Sequence, residues 1–162
     1  MVPEHVTAAV FANEIVAARE WANRELIQLD PVIPKTLVRA TLVQERSGDH
    51  FYLQGRFDGY KALPPEWVWC DSEWSGQGNP RMSPESAPTP YGNSMFLNHS
   101  GRAVICAPFN RLAFGAHRGP HKNWGELTHW MTAGKGYVHA VTIADMLDVV
   151  VRDFRHTKGR MA

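Results

Sequence analysis

Cysteine is scarce in this chain: Cys70 and Cys106 are the only two among 162 residues. That is too few for a disulfide framework and fits a reducing compartment. An excess of one charge is also missing, since 17 Lys and Arg stand against 16 Asp and Glu, a formal net charge of +1. No basic or acidic field therefore recommends nucleic acid or an anionic membrane as partner. No apolar run approaches the roughly 20 residues that cross a bilayer. Met1-Val2-Pro3-Glu4-His5 lacks the basic, then apolar, then small-residue order of a secretion signal, so the expected location is cytoplasmic. There is no Gly-rich nucleotide loop, hence no ATP site or other cofactor is expected, and no internal repeat.

What is present suits a single domain over 1–162, with 44% hydrophobic residues to build a core. From about Pro3 to Leu29, the residues Phe11, Ile15, Ala18, Ala22 and Leu26 recur at helical spacing with Asn13, Glu14, Arg19, Glu20 and Arg24 on the other side. This predicts an amphipathic helix, ended by Asp30-Pro31-Val32-Ile33-Pro34 because the residue before a proline is pushed out of helical geometry. Thr36 to Gln44 is rich in β-branched residues, Ser47-Gly48-Asp49 is turn chemistry, and Phe51 to Tyr60 alternates, which predicts a hairpin. Leu63-Pro64-Pro65 leads into a third strand over Glu66 to Cys70.

Asp71 to Met95 is rich in Pro, Gly and Ser and has almost no apolar periodicity, so an irregular loop or flap is expected there. Phe109 to Phe114 and Trp124 to Met131 read as short helical pieces. A second full helix covers Thr142 to Phe154, with Thr142 as N-cap and Ile143, Met146, Leu147, Val150 and Phe154 as an apolar stripe. Residues 155–162 are polar and expected to be a flexible tail. The fold class that follows is α+β: an N-terminal helix, an antiparallel β-meander, a loop bearing the chemistry, and a C-terminal helix.

The chemistry concentrates in Phe96-Leu97-Asn98-His99-Ser100-Gly101-Arg102-Ala103-Val104-Ile105-Cys106, which puts a carboxamide and a thiol on one short segment. Ala103-Val104-Ile105 delivers Cys106 as a strand would, and Ala107-Pro108 stops the continuation. This order of parts resembles the ubiquitin-conjugating (Ubc-like) enzymes. In that family the Asn of a His-Pro-Asn tripeptide lies eight residues before the catalytic cysteine, the interval between Asn98 and Cys106, with Phe96-Leu97 standing where the family has His-Pro. Leu63-Pro64-Pro65-Glu66-Trp67-Val68 resembles the family's proline-led entry to its last strand, and Thr142-Ile143 through Val150 resembles the helix after its active site. Two further helices of the family have no counterpart, so the resemblance is to a shortened Ubc fold of the divergent bacterial kind found in antiphage and ubiquitin-like conjugation operons.

The resemblance implies that Cys106 carries another polypeptide's C-terminus as a thioester and that Asn98 steadies the oxyanion formed when an amine attacks. It implies as partners an adenylating, activating enzyme and a donor with a C-terminal glycine, either a ubiquitin-like protein or a cyclic-nucleotide-producing nucleotidyltransferase. A group lowering the attacking amine's pKa would lie downstream, with Asn110, His117 and His121 as candidates. Physically the pair is sound: a thiol takes over an acyl group, and a fixed donor offsets the developing charge.

Other readings remain open on the same residues. A cysteine after Val104-Ile105 also suits a small buried hydrophobe, which is the reading for Cys70 at the end of Trp67-Val68-Trp69. His99, His117, His121 and His129 with a cysteine compose a zinc set. Cys106 with His121 or His139 composes a cysteine hydrolase. Trp67, Trp69, Trp74, Trp124 and Trp130 allow an aromatic docking surface on a catalytically inactive module.

Overall fold

Helix α1 (Glu4–Glu25) lies across one face of a four-stranded sheet. A computed structural model of the chain describes residues 2–90, 92, 94–116, 124–133 and 139–160. The sheet is a meander in the order β1 (Gln28–Val32), β2 (Leu37–Val43), β3 (His50–Arg56), β4 (Glu66–Cys70), every neighbouring pair antiparallel. A separate hairpin, β5 (Phe96–His99) and β6 (Arg102–Ile105), follows. After the hairpin come α2 (Arg111–Ala116), a 3₁₀ helix over Leu127–Thr132 where a short helical piece was expected, and α3 (Ile143–Phe154). The α+β class, with an N-terminal helix and antiparallel sheets, is thus as expected.

Alternation decides which sheet face meets α1. Val38, Ala40 and Leu42 on β2, Phe51 and Leu53 on β3, and Trp67 and Trp69 on β4 are buried, and they meet Phe11, Ile15, Ala18 and Ala22 of α1 and Met146, Leu147, Val150 and Phe154 of α3. Each Val, Leu, Ile, Met or Phe among them, once buried, contributes about 1.5–3 kcal/mol. At Gly55, paired with Trp67, a Cβ would stand 2.7 Å from the indole, so a glycine is required for the strands to close over that ring. Phe51 and Trp69 meet Phe154 at 5.3 and 6.0 Å between ring centroids, and Trp69 meets Phe96 at 5.3 Å. Those rings join sheet, α3 and hairpin into one core. Trp21 donates to Asp148 (3.1 Å) and Arg155 pairs with Glu25 (2.6 Å), tying α1 to α3.

The sequence expectations fare unevenly. β4 and α3 fall as read, and the Thr142 hydroxyl accepts the Asp145 N–H at 3.2 Å, a true N-cap. Helix α1 is shorter than expected: Leu26 adopts φ +57° and ends it, and Gln28–Val32, taken for a helix end, is an edge strand. An edge position tolerates Pro31, which has no N–H to give a neighbour. β3 stops at Arg56, because Phe57 to Tyr60 leaves the ladder in a turn. The described residues of 71–95 are irregular as expected, apart from a 3₁₀ turn over Pro80–Met82 and isolated bridges.

The tail is a correction. Residues 155–160 do not fray: Thr157 is buried, the Glu85 N–H donates to the Gly159 carbonyl at 2.7 Å, the Lys158 N–H donates to the Glu85 carbonyl at 3.3 Å, and Arg160 forms a bridge with Pro84. The Arg160 guanidinium sits 4.6 Å from the Phe51 ring centre and hydrogen-bonds the carbonyls of Arg81 and His50. Such bonds hold a polar tail in place although it has no apolar stripe. Among the described residues, no helix is long and apolar enough to cross a membrane.

Candidate functional site around Cys106

The hairpin turn is written locally. Ser100 (φ +51°) and Gly101 (φ +78°) are both left-handed, the pair of positive angles that a two-residue type I′ turn demands. The register follows from it: His99 faces Arg102, Asn98 faces Ala103, Leu97 faces Val104 and Phe96 faces Ile105. Phe96 and Ile105 point into the core and pin the hairpin against Trp69.

Cys106 stands one residue beyond β6. Its N–H donates to the Met95 carbonyl at 2.8 Å, and the Ala107 N–H returns to the Ile105 carbonyl at 3.1 Å. Cys106 is therefore the central residue of a three-residue turn, at the point where the chain leaves the strand. Its side chain is half-buried, and it is in no disulfide. Burial pushes the thiol up to about 11, so at neutral pH it is a thiol and not a thiolate. Cys70 is fully buried, at the end of β4, and is likewise pushed up to about 11, first by burial and then by the Asp71 charge. Its expected role as a small core residue holds.

Asn98, the second proposed site residue, is exposed on β5. The register sets it three residues along the hairpin from the position opposite Cys106, about 10 Å of strand at ~3.3 Å per residue. By strand alternation Asn98 shares the face of Phe96 and Ala103, whereas Met95, the position opposite Cys106, belongs to the other face, so the hairpin does not bring carboxamide and sulfur together.

Asn110 turns out to be a structural bracket. It is fully buried: Oδ1 accepts from the N–H of Trp67 (3.0 Å) and of Leu112 (3.3 Å), while Nδ2 donates to the carbonyls of Trp67 (3.2 Å) and Ile105 (2.8 Å). All its donors and acceptors are consumed, which removes it from the candidates for activating an amine. Instead it caps the outer edge of β4 as a neighbouring strand's peptide group would, and grips the carbonyl next to Cys106. Arg111 supports the same junction, donating from Nε to the Pro64 carbonyl at 3.1 Å and from its backbone to Pro65 at 2.8 Å. Pro64 and Pro65, read as a strand entry, also serve as the acceptors that seat α2.

The remaining candidates divide. His117 and His121 lie outside the described residues. His99 is half-buried on β5, and His139 turns Nδ1 to the Ala133 carbonyl at 3.3 Å. Among the described residues no three His, Cys, Asp or Glu side chains are arranged to hold a metal ion. Trp67, Trp69 and Trp130 are core, and Trp124 is nearly so. Trp74 is half-buried, edge-on to Tyr52 (5.6 Å) and under the Arg39 guanidinium (5.1 Å).

One residue that the sequence did not single out is Asp153. Buried on α3, it accepts the Met95 N–H at 2.6 Å and the Ser94 hydroxyl at 3.4 Å. The clue available in advance was a carboxylate directly beside Phe154 on the apolar side of a strongly amphipathic helix. No protein-family model, curated protein or solved structure matches this chain.

Proposed function

We propose that this chain is a divergent, bacterial-type Ubc-like conjugating transferase, in which Cys106 carries the C-terminal acyl group of another polypeptide. In the first step the Cys106 sulfur attacks the carbonyl carbon of a thioester presented by an activating enzyme. The new C–S bond forms, the old one breaks, and the proton lost by Cys106 ends on the departing thiol. In the second step a partner's amine attacks the same carbon, an amide forms, the sulfur leaves, and the amine's proton returns to it. Adenylation belongs to the activating enzyme. Of the donors, a ubiquitin-like protein or a nucleotidyltransferase with a C-terminal glycine, both remain consistent with this chemistry, the second in an antiviral setting.

The observation that carries the reading is the station of Cys106: a half-buried thiol at a turn apex, braced by a hairpin, by Asn110 and by α2, after an N-terminal helix and an antiparallel meander. Because a thiol near 11 supplies little thiolate at neutral pH, the acyl group it takes over has to arrive already activated, as a thioester. The second step calls for a donor to the acyl oxygen, the role the resemblance gives to the exposed Asn98. Intact mass under non-reducing conditions, after mixing with an activating enzyme and a candidate donor, tests the proposal. The expected product is a thiol-labile adduct that becomes a thiol-stable ester in Cys106→Ser. An adduct unchanged by Cys106→Ser, or carried on Cys70, would overturn it.

A further inference from the structure

Of the three aspartates on α3, Asp145 is exposed, Asp148 is half-buried and hydrogen-bonded to Trp21 and Arg152, and Asp153 is only 4% exposed. Burying a carboxylate is unfavourable unless something is gained by it. Burial pushes the Asp153 carboxyl up, against the Met95 N–H, the Ser94 hydroxyl and the His156 charge, which all favour its ionised form. One of its oxygens, Oδ1, makes no hydrogen bond. Core stability alone does not account for such a group.

The hairpin ladder shows what it does. His99 with Arg102 closes the two-residue turn, so hydrogen-bonded pairs recur at Leu97 with Val104 and next at Met95 with Cys106. That last rung is half made. The Cys106 N–H goes to the Met95 carbonyl at 2.8 Å, but the Met95 N–H goes to Asp153 Oδ2 at 2.6 Å. The carboxylate occupies the place the Cys106 carbonyl would take if the ladder continued. Ser94 closes the bracket, accepting the Phe96 N–H at 3.2 Å and donating to the same Oδ2.

We propose that Asp153 is the positioning residue of Cys106: by taking the Met95 N–H it ends the hairpin after Ile105, so that residue 106 turns out of the strand with its sulfur held half-buried. The bond links α3 to the residue just before β5 across 58 residues of sequence. Its consequence for acyl transfer rests on the transferase reading given above; its consequence for the sulfur's surroundings does not.

Iodoacetamide labelling at pH 8, scored on the Cys106 peptide by mass spectrometry so that Cys70 is counted separately, tests it on the full chain. In Asp153→Ala the sulfur loses its fixed burial and its pKa returns from about 11 toward 9.0. The thiolate fraction then rises ~100-fold, the weaker nucleophilicity of a less basic thiolate takes back ~10-fold, and labelling rises ~10-fold. Asp153→Asn keeps an acceptor for the Met95 N–H and should label within about twofold of the parent chain. Circular dichroism establishes that each variant is folded. Should Asp153→Ala not fold, Ser94→Ala, which strips the Phe96 N–H of its acceptor, is read instead, with a rise of about two- to fivefold expected. A folded Asp153→Ala, or in its place Ser94→Ala, that labels like the parent refutes the positioning role. With an activating enzyme and donor, Asp153→Ala should form adduct at least about tenfold more slowly while labelling faster, opposite signs that a general loosening of the fold does not produce. If the parent chain forms no adduct, the transferase reading fails and the labelling result still decides the role of Asp153.

Discussion

Replacing Asn110 by alanine removes four hydrogen bonds from one buried carboxamide, and the loss can be worked out group by group. The Leu112 N–H, in the first turn of α2, lies in a partly exposed setting and is rehydrated at little expense. The Ile105 carbonyl retains the Ala107 N–H at 3.1 Å. The Trp67 N–H and carbonyl are different: they face outward from β4, the last strand of the sheet, and Asn110 is the partner each of them has there. Each buried backbone group left without a partner costs about 1–3 kcal/mol, so Asn110→Ala should lower stability by about 2–6 kcal/mol. For a domain of this size each 1 kcal/mol is about 2–4 °C, which places the fall in Tm near 10 °C.

Thermal and urea unfolding followed by circular dichroism would measure it. Asn110→Asp sharpens the test, because an ionised carboxylate accepts from Trp67 N–H but meets the carbonyls of Trp67 and Ile105 as a third acceptor. Its folded-state pKa must therefore lie above the unfolded value, and the variant should regain stability as the pH falls and the carboxyl becomes a donor. An alanine variant within about 1 kcal/mol of the parent, or an aspartate variant with no such pH dependence, would refute the edge-cap assignment.

Two further outcomes follow from the site. Asn98→Ala, at an exposed position, should leave unfolding within about 0.5 kcal/mol of the parent and adduct formation unchanged, while discharge to an amine slows by about 10²–10³; equal discharge rates would remove Asn98 from the chemistry. Both thiols are pushed up to about 11 in the fold from 9.0, so their contribution is fully present below pH 9 and lost as the pH rises toward 11, on the order of 1 kcal/mol per pH unit for each. Burial pushes the Tyr60 phenol up as well, which adds loss of the same sign. Urea midpoints at pH 8 and 10 should therefore differ, and Cys70→Ala should shrink the difference.

Much of this fold is legible where neighbours along the chain decide the matter. The apolar stripe and the Thr142 cap of α3, the strand of alternating Trp67 and Trp69, and the exit of the chain at Cys106-Ala107-Pro108 are consequences of residues within one or two turns of each other. The proline rule misled at Asp30-Pro31. It reports only that a helix cannot pass, and whether the chain then becomes loop or edge strand depends on β2 being there to pair with it.

The candidate site divides in the same way. Sequence alone determined that a thiol ends an apolar strand, that a carboxamide stands eight residues before it, and that a helix follows, because spacing and turn chemistry are local properties. Tertiary structure alone decided that Asn110 is a bracket for Trp67 and Ile105, that Asp153 holds Met95, and that Gln44 clasps Thr157, bonds that span 43, 5, 58 and 113 residues. A polar side chain looks the same in sequence whether it faces a substrate or an orphaned peptide group. Which of the two it meets is settled only when distant segments pack and each buried donor or acceptor has to find its partner.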